Sequence, residues 1–199
     1  MNTLIAQPKA LYDMGVVKRS LIILIAFQVI LWLVFTIAYL LNPGSWGNEI
    51  EPLIRSGQVV NLTLEIFGRN IFLLLLIVFG NLFVRFGAVT PGLLILLIQG
   101  ILIGWVAGSN AFEYPFASVL EANIQYLKVG LWETTAYALI CGVTLTKSLY
   151  IADTFPAKTW SQVRKLKDLK FSTVEKLMAL LSVILLATAA YIEAVLLYG

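Results

Sequence analysis

The sequence predicts an all-α membrane protein with about five transmembrane helices and additional interfacial or re-entrant helices. Three observations lead there. Of the 199 residues, 60% are hydrophobic and 13% charged, with a mean hydropathy of +0.90; one water-soluble core of this size does not hide so much apolar surface. Five runs approach the roughly 20 residues that a helix needs to cross hydrocarbon. The Lys and Arg residues fall mostly on one side of the alternation those runs define. Residues 1–199 read as a single polytopic domain without an internal repeat or low-complexity tract.

The first span is 20–41, stopped by Asn42-Pro43-Gly44. Lys9, Lys18 and Arg19 precede it in the manner of a signal peptide. The apolar run is too long for that and lacks a small-residue cleavage site, which predicts an uncleaved helix. Residues 45–68 carry Glu49, Glu51, Arg55 and Glu65 and read as a loop plus a short amphipathic helix at the interface. The second and third spans, 68–86 and 92–107, are separated by a turn through Gly87 and Pro91, which predicts an antiparallel hairpin. Residues 115–126, with Glu121, Asn123 and Gln125, are too short and polar to span, and read as an interfacial or re-entrant helix. The fourth span is 127–151 and the fifth 174–198, joined by a basic loop at 153–173.

Short cytoplasmic loops collect Lys and Arg. With the N-terminus inside, eleven of the 14 fall on the cytoplasmic side, leaving Arg55, Arg69 and Lys128 outside. The C-terminus is then outside. The net charge of +3 reports topology and gives no case for nucleic-acid binding.

This topology places Asn70, Gln99, Glu133 and Glu193 toward the outer ends of the second, third, fourth and fifth spans. A charge in hydrocarbon costs several kcal/mol, so these side chains are predicted to face one another as a buried polar cluster joined by interhelical hydrogen bonds. Two readings stand: structural glue, or a proton, ion or substrate path in which the two carboxylates share a proton. Gly100 and Gly104 have the small-xxx-small spacing that brings helix backbones together. Gly130 reads as a second place of close approach, on the fourth span, and Gly80 with Asn81 as another on the second.

In the basic loop, Lys158, Arg164, Lys165, Lys167 and Lys170 are either the topology signal alone or a lipid or partner surface. Trp160, Val163, Leu166 and Leu169 form a stripe at helical spacing, which predicts a surface helix. Trp46, Trp105 and Trp132 read as outer interface anchors. With no histidine and only Cys141, the usual ligands for haem and zinc are missing. There is no Gly-rich phosphate loop and no nucleophile with a histidine base, so no catalytic residues, metal site or cofactor are expected.

Four elements together resemble one family. The run from Asn70 to Gly80, Leu96-Leu-Ile-Gln-Gly-Ile-Leu-Ile-Gly104, Gly130-Leu-Trp-Glu133 and Ala189-Ala-Tyr-Ile-Glu-Ala194 are similar in order and spacing to the stage II sporulation protein M family of integral membrane proteins. The resemblance covers about residues 60–198. That family has a His-Gly-x-x-Glu element where this chain has Val129 for the histidine, and Asn where this chain has Gln99. Gly130 and Glu133 carry over by motif, and Asn70, Gly100, Gly104 and Glu193 by position. The resemblance implies a helical scaffold; a specific sporulation role is not carried over.

The function expected is therefore a non-enzymatic membrane scaffold or accessory subunit. Its partners would be other integral membrane proteins and lipid, in a homo- or hetero-oligomer of a prokaryotic cell membrane. A permease-like transport component using Glu133 and Glu193 is the alternative, and an accessory subunit of an energy-converting complex a weaker one.

Overall fold

The computed structural model describes residues 11–47, 58–112, 114–152 and 159–198. Among the described residues there are six complete α-helices: α1 (Val16–Leu41), α2 (Val59–Phe83), α3 (Pro91–Gly108), α4 (Val119–Gln125), α5 (Leu131–Thr144) and α6 (Thr173–Tyr198). A single π-type turn, Tyr126–Gly130, joins α4 to α5 without breaking the helical path. Helices α1, α2, α3 and α6 are each long and apolar enough to cross a membrane. The protein is an all-α membrane protein.

Several boundaries differ from the sequence expectation, each for a local reason. Helix α2 starts at Val59, so 59–67 is not a separate interfacial helix. Its apolar residues continue the span, and the exposed Glu65–Arg69 pair sits one helical turn apart, the spacing that supports a helix. Residues 119–126 are likewise not a separate helix but the first turns of the rod that continues into α5. Ser118 caps it by accepting from the Glu121 amide at 3.2 Å, and the Glu121 carboxylate reaches back to the Ala117 amide at 3.1 Å. The fourth span ends at Thr144 rather than 151.

Three short strands replace helix where the sequence predicted it. Val84–Phe86 (β1) leaves α2, and Tyr150–Ala152 (β2) follows α5. Helices α2 and α5 run in the same direction, so their exits lie side by side and β1 pairs with β2 in parallel, Arg85 opposite Ile151. Ser161–Gln162 (β3) returns antiparallel against β2. Among the described residues of the basic loop, 159–172, there is no surface α-helix. Trp160, Val163 and Leu166 are exposed on an irregular segment with a 3₁₀ turn at Leu166–Asp168. Lys158 lies outside the described residues.

Apolar side chains from five helices meet in the core: Phe27 and Leu31 of α1, Ile77 of α2, Leu96 of α3, Tyr137 and Cys141 of α5, and Leu186 of α6. The outward face of α1 remains apolar, with Val17, Leu21, Ile25, Val29 and Leu33 exposed at every fourth position. That is the stripe a helix presents to lipid.

Candidate functional site

Glycines set how closely the helices approach. A Cβ on Gly104 would stand 2.5 Å from the Leu31 carbonyl oxygen and 3.0 Å from Val34 Cβ, and one on Gly100 would meet the Phe27 ring at 3.2 Å. Gly108 extends the series by another four residues and meets Phe35 and Ala38. Helix α3 thus lies against α1 along one glycine edge. Gly130 does something else. It gives room to the Tyr126 ring of its own segment, whose nearest atom is 2.5 Å from where its Cβ would be. Gly80 faces Gly92, which brings α2 against α3 at the turn.

The four predicted polar residues are only partly brought together. Asn70 on α2 donates to Glu133 on α5. Glu193 on α6 lies near enough for the two carboxylates to act on each other, and Arg69 acts on Glu193 in turn. Gln99 is half-buried on α3 and makes no side-chain hydrogen bond among the described residues. Next to Glu133 in sequence, Thr134 belongs to a triad that sequence reasoning missed. Gln28 of α1 donates to Thr134 at 3.1 Å and accepts from the Tyr126 hydroxyl at 2.7 Å. Tyr126 and Thr134 are themselves 3.3 Å apart.

The most complete polar network lies at the opposite end of the bundle. Asn81, fully buried on α2, donates to Thr144 Oγ1 at 2.8 Å and reaches the Cys141 carbonyl at 3.4 Å. Its side-chain oxygen accepts from Thr90, whose hydroxyl also caps α3 by accepting from Leu93 at 3.1 Å. Ser148 donates to the Asn81 carbonyl at 2.7 Å. One amide thereby fastens α2, α3 and α5. The sequence signal was Asn81 and Thr144 standing in apolar runs.

Charges concentrate at this same end. Arg19, 3% exposed, forms no salt bridge among the described residues; its Nε donates to the Gly142 carbonyl at 2.7 Å and Nη1 to the Met14 carbonyl at 2.9 Å. Gly142 allows this, since a Cβ there would meet Ser20 Cα at 2.8 Å. Lys147 pairs with Glu175 at 2.8 Å, and Glu175 closes a capping box with Ser172 through contacts of 2.8 and 3.2 Å. Arg85 lies over the Tyr12 ring at 4.4 Å, a cation–π arrangement. The Tyr12 hydroxyl donates to the Ala88 carbonyl at 3.1 Å, and burial pushes its pKa up to about 12 against the pull of Arg85. Arg164 donates to the Thr146 carbonyl at 3.2 Å, while Lys165, Lys167 and Lys170 point their charge to the exterior.

Among the described residues no group of three His, Cys, Asp or Glu is placed to hold a metal ion. Cys141 is buried and its thiol lies 3.5 Å from Asn81. What the arrangement defines is a polytopic helical membrane protein with two interhelical polar clusters, one acidic and one built on Asn81. No family model, curated protein or solved structure matches the chain.

Proposed function

We propose that this chain is a non-enzymatic integral membrane scaffold or accessory subunit of a larger membrane assembly. The observation that carries the proposal is how its intramembrane polar groups are used. Asn81, Thr90 and Thr144 bind one another, Gln28, Tyr126 and Thr134 bind one another, and Asn70 holds Glu133. These are fasteners between helices, and they leave long apolar faces on α1 and α6 free to meet neighbours in the bilayer. The resemblance to the stage II sporulation protein M family supports the same reading.

The orientation proposed puts the N-terminus and the Asn81 end at the cytoplasmic face of a prokaryotic membrane. Lys18, Arg19, Arg85, Lys147, Arg164, Lys165, Lys167, Lys170 and Lys176 all belong to that end, against Arg69 and Lys128 at the other. Affinity purification in mild detergent followed by mass spectrometry tests the scaffold reading. A stoichiometric membrane-protein partner supports it, and a lone chain contradicts it.

One observation favours a transport component as the second reading: the Glu193 carboxylate acts electrostatically on Glu133 from a different helix. Glu133→Gln with Glu193→Gln separates the two. Loss of folding or assembly assigns the carboxylates to structure, whereas normal assembly with lost flux assigns them to a path.

A further inference from the structure

A cavity of about 230 Å³ lies between α1, α3 and the rod formed by α4 and α5. Its wall is aromatic and prebuilt. Trp32 meets both Phe35 and Tyr126 edge-on at 5.4 Å, and Phe112 meets Phe116 in the same manner at 5.1 Å. Of the polar side chains on this wall, Thr134 is already bonded to Gln28 and Tyr126, which leaves Asn123, Gln125 and Glu133. Among the described residues neither amide makes a side-chain hydrogen bond, and Glu133 commits one oxygen, to Asn70. An apolar pocket with a few convergent polar groups is the usual form of a small-molecule site.

The unused groups define the ligand. Two carboxamides offer donors and acceptors, and the free carboxylate oxygen offers an acceptor. Asn123 and Glu133 stand ten residues apart on one rod, about 15 Å at the helical rise, so the head needs more than one hydroxyl, each both donating and accepting. An ammonium would pair with Glu133 but leave the amide N–H groups without an acceptor. A phosphate or carboxylate head would be set against Glu133 in a lining that contains no Lys or Arg, which buries an unpaired charge. We propose that this cavity binds an amphipathic molecule from the surrounding lipid, with its hydrocarbon body among the aromatic rings and an uncharged, hydroxyl-bearing head at Asn123, Gln125 and Glu133. The proposal does not depend on the scaffold reading, because a scaffold and a transporter would both be able to hold such a molecule.

The test uses the full chain in phosphatidylcholine nanodiscs and three probes with the same brominated medium-length chain: a monoacylglycerol, an alkyl phosphate and an alkylamine. Bromine quenches nearby tryptophan, and Trp32 lines the cavity. The monoacylglycerol is expected to quench saturably, with the amplitude falling in Trp32→Phe and at least about tenfold tighter than the other two probes. Asn123→Ala with Gln125→Ala is expected to weaken it by about tenfold, roughly one 1.4 kcal/mol step, without altering the thermal midpoint of the protein. Equal quenching by all three heads, or binding unchanged both by the paired alanines and by the cavity-filling Ala107→Phe, would overturn the proposal.

Discussion

Replacing Asn81 by alanine is the sharpest perturbation of the bundle. The side chain is fully buried, and its two short bonds tie α2 to Thr144 of α5 and to Thr90 ahead of α3. Interhelical hydrogen bonds in membrane bundles average about 0.6 kcal/mol and reach about 1.7. The partners fare unequally. Thr144 keeps its donation to the Ile140 carbonyl at 2.8 Å, whereas the Thr90 hydroxyl loses the acceptor for its proton. One unsatisfied buried group adds about 1–3 kcal/mol, so the substitution is expected to cost about 2–4 kcal/mol. At about 2–4 °C per kcal/mol for a chain of this size, the midpoint should fall by roughly 5–15 °C. Cys141 supplies the assay, because the only thiol in the chain is wholly buried beside Asn81. A thiol-reactive fluorogenic maleimide reports its exposure, and circular dichroism melted in parallel reports the helices. A midpoint within about 2 °C of the parent by both readouts would refute the fastening role assigned to Asn81.

Other perturbations have equally definite outcomes. Gly104→Leu should separate α1 from α3 and abolish a cooperative melt, since even its Cβ would stand 2.5 Å from the Leu31 carbonyl. Gly68→Ala, which meets nothing within 4 Å on α2, should be neutral or stabilise by about 0.5–1 kcal/mol in the same experiment. Glu175→Gln should cost about 1.5–3 kcal/mol by removing the carboxylate from Lys147, which keeps its bond to the Lys170 carbonyl at 2.9 Å, and Lys147→Met in the same chain should recover part of that loss. Tyr12 gives a pH dependence. Its folded pKa of about 12 lies above the unfolded value near 10, so the contribution is complete below pH 10 and is lost as pH rises toward 12. Tyr12→Phe should flatten that alkaline fall in the melting midpoint, and an unchanged slope would remove Tyr12 as its source.

The fold class and most of its spans were legible because hydrocarbon demands long apolar helices, and α1, α3 and α6 have little else in their sequence. The strands were not. Residues 84–86 and 150–152 continue the apolar runs before them except at Arg85, and only the parallel exit of α2 and α5 lets them pair. The stripe through Trp160 and Val163 had helical spacing by composition, but β3 is held to β2 and spends its backbone groups there. In the acidic cluster, Asn70 and Glu133 were legible as unusual residues at one depth. Gln99 had the same depth but joins neither by a hydrogen bond among the described residues, which depth alone does not reveal. Gly130 gave the spacing of a helix contact but accommodates Tyr126 of its own π-type turn. Arg19 read as a topology charge, because nothing in the sequence announces that Gly142 leaves a carbonyl within its reach.

If the polar clusters hold a bundle whose outer faces join other proteins, native mass spectrometry of the chain ejected from its own membrane will find it in a particle heavier than its own 22.0 kDa by at least one further polypeptide in fixed ratio. A particle of 22.0 kDa carrying lipid alone would contradict that role for the outer faces.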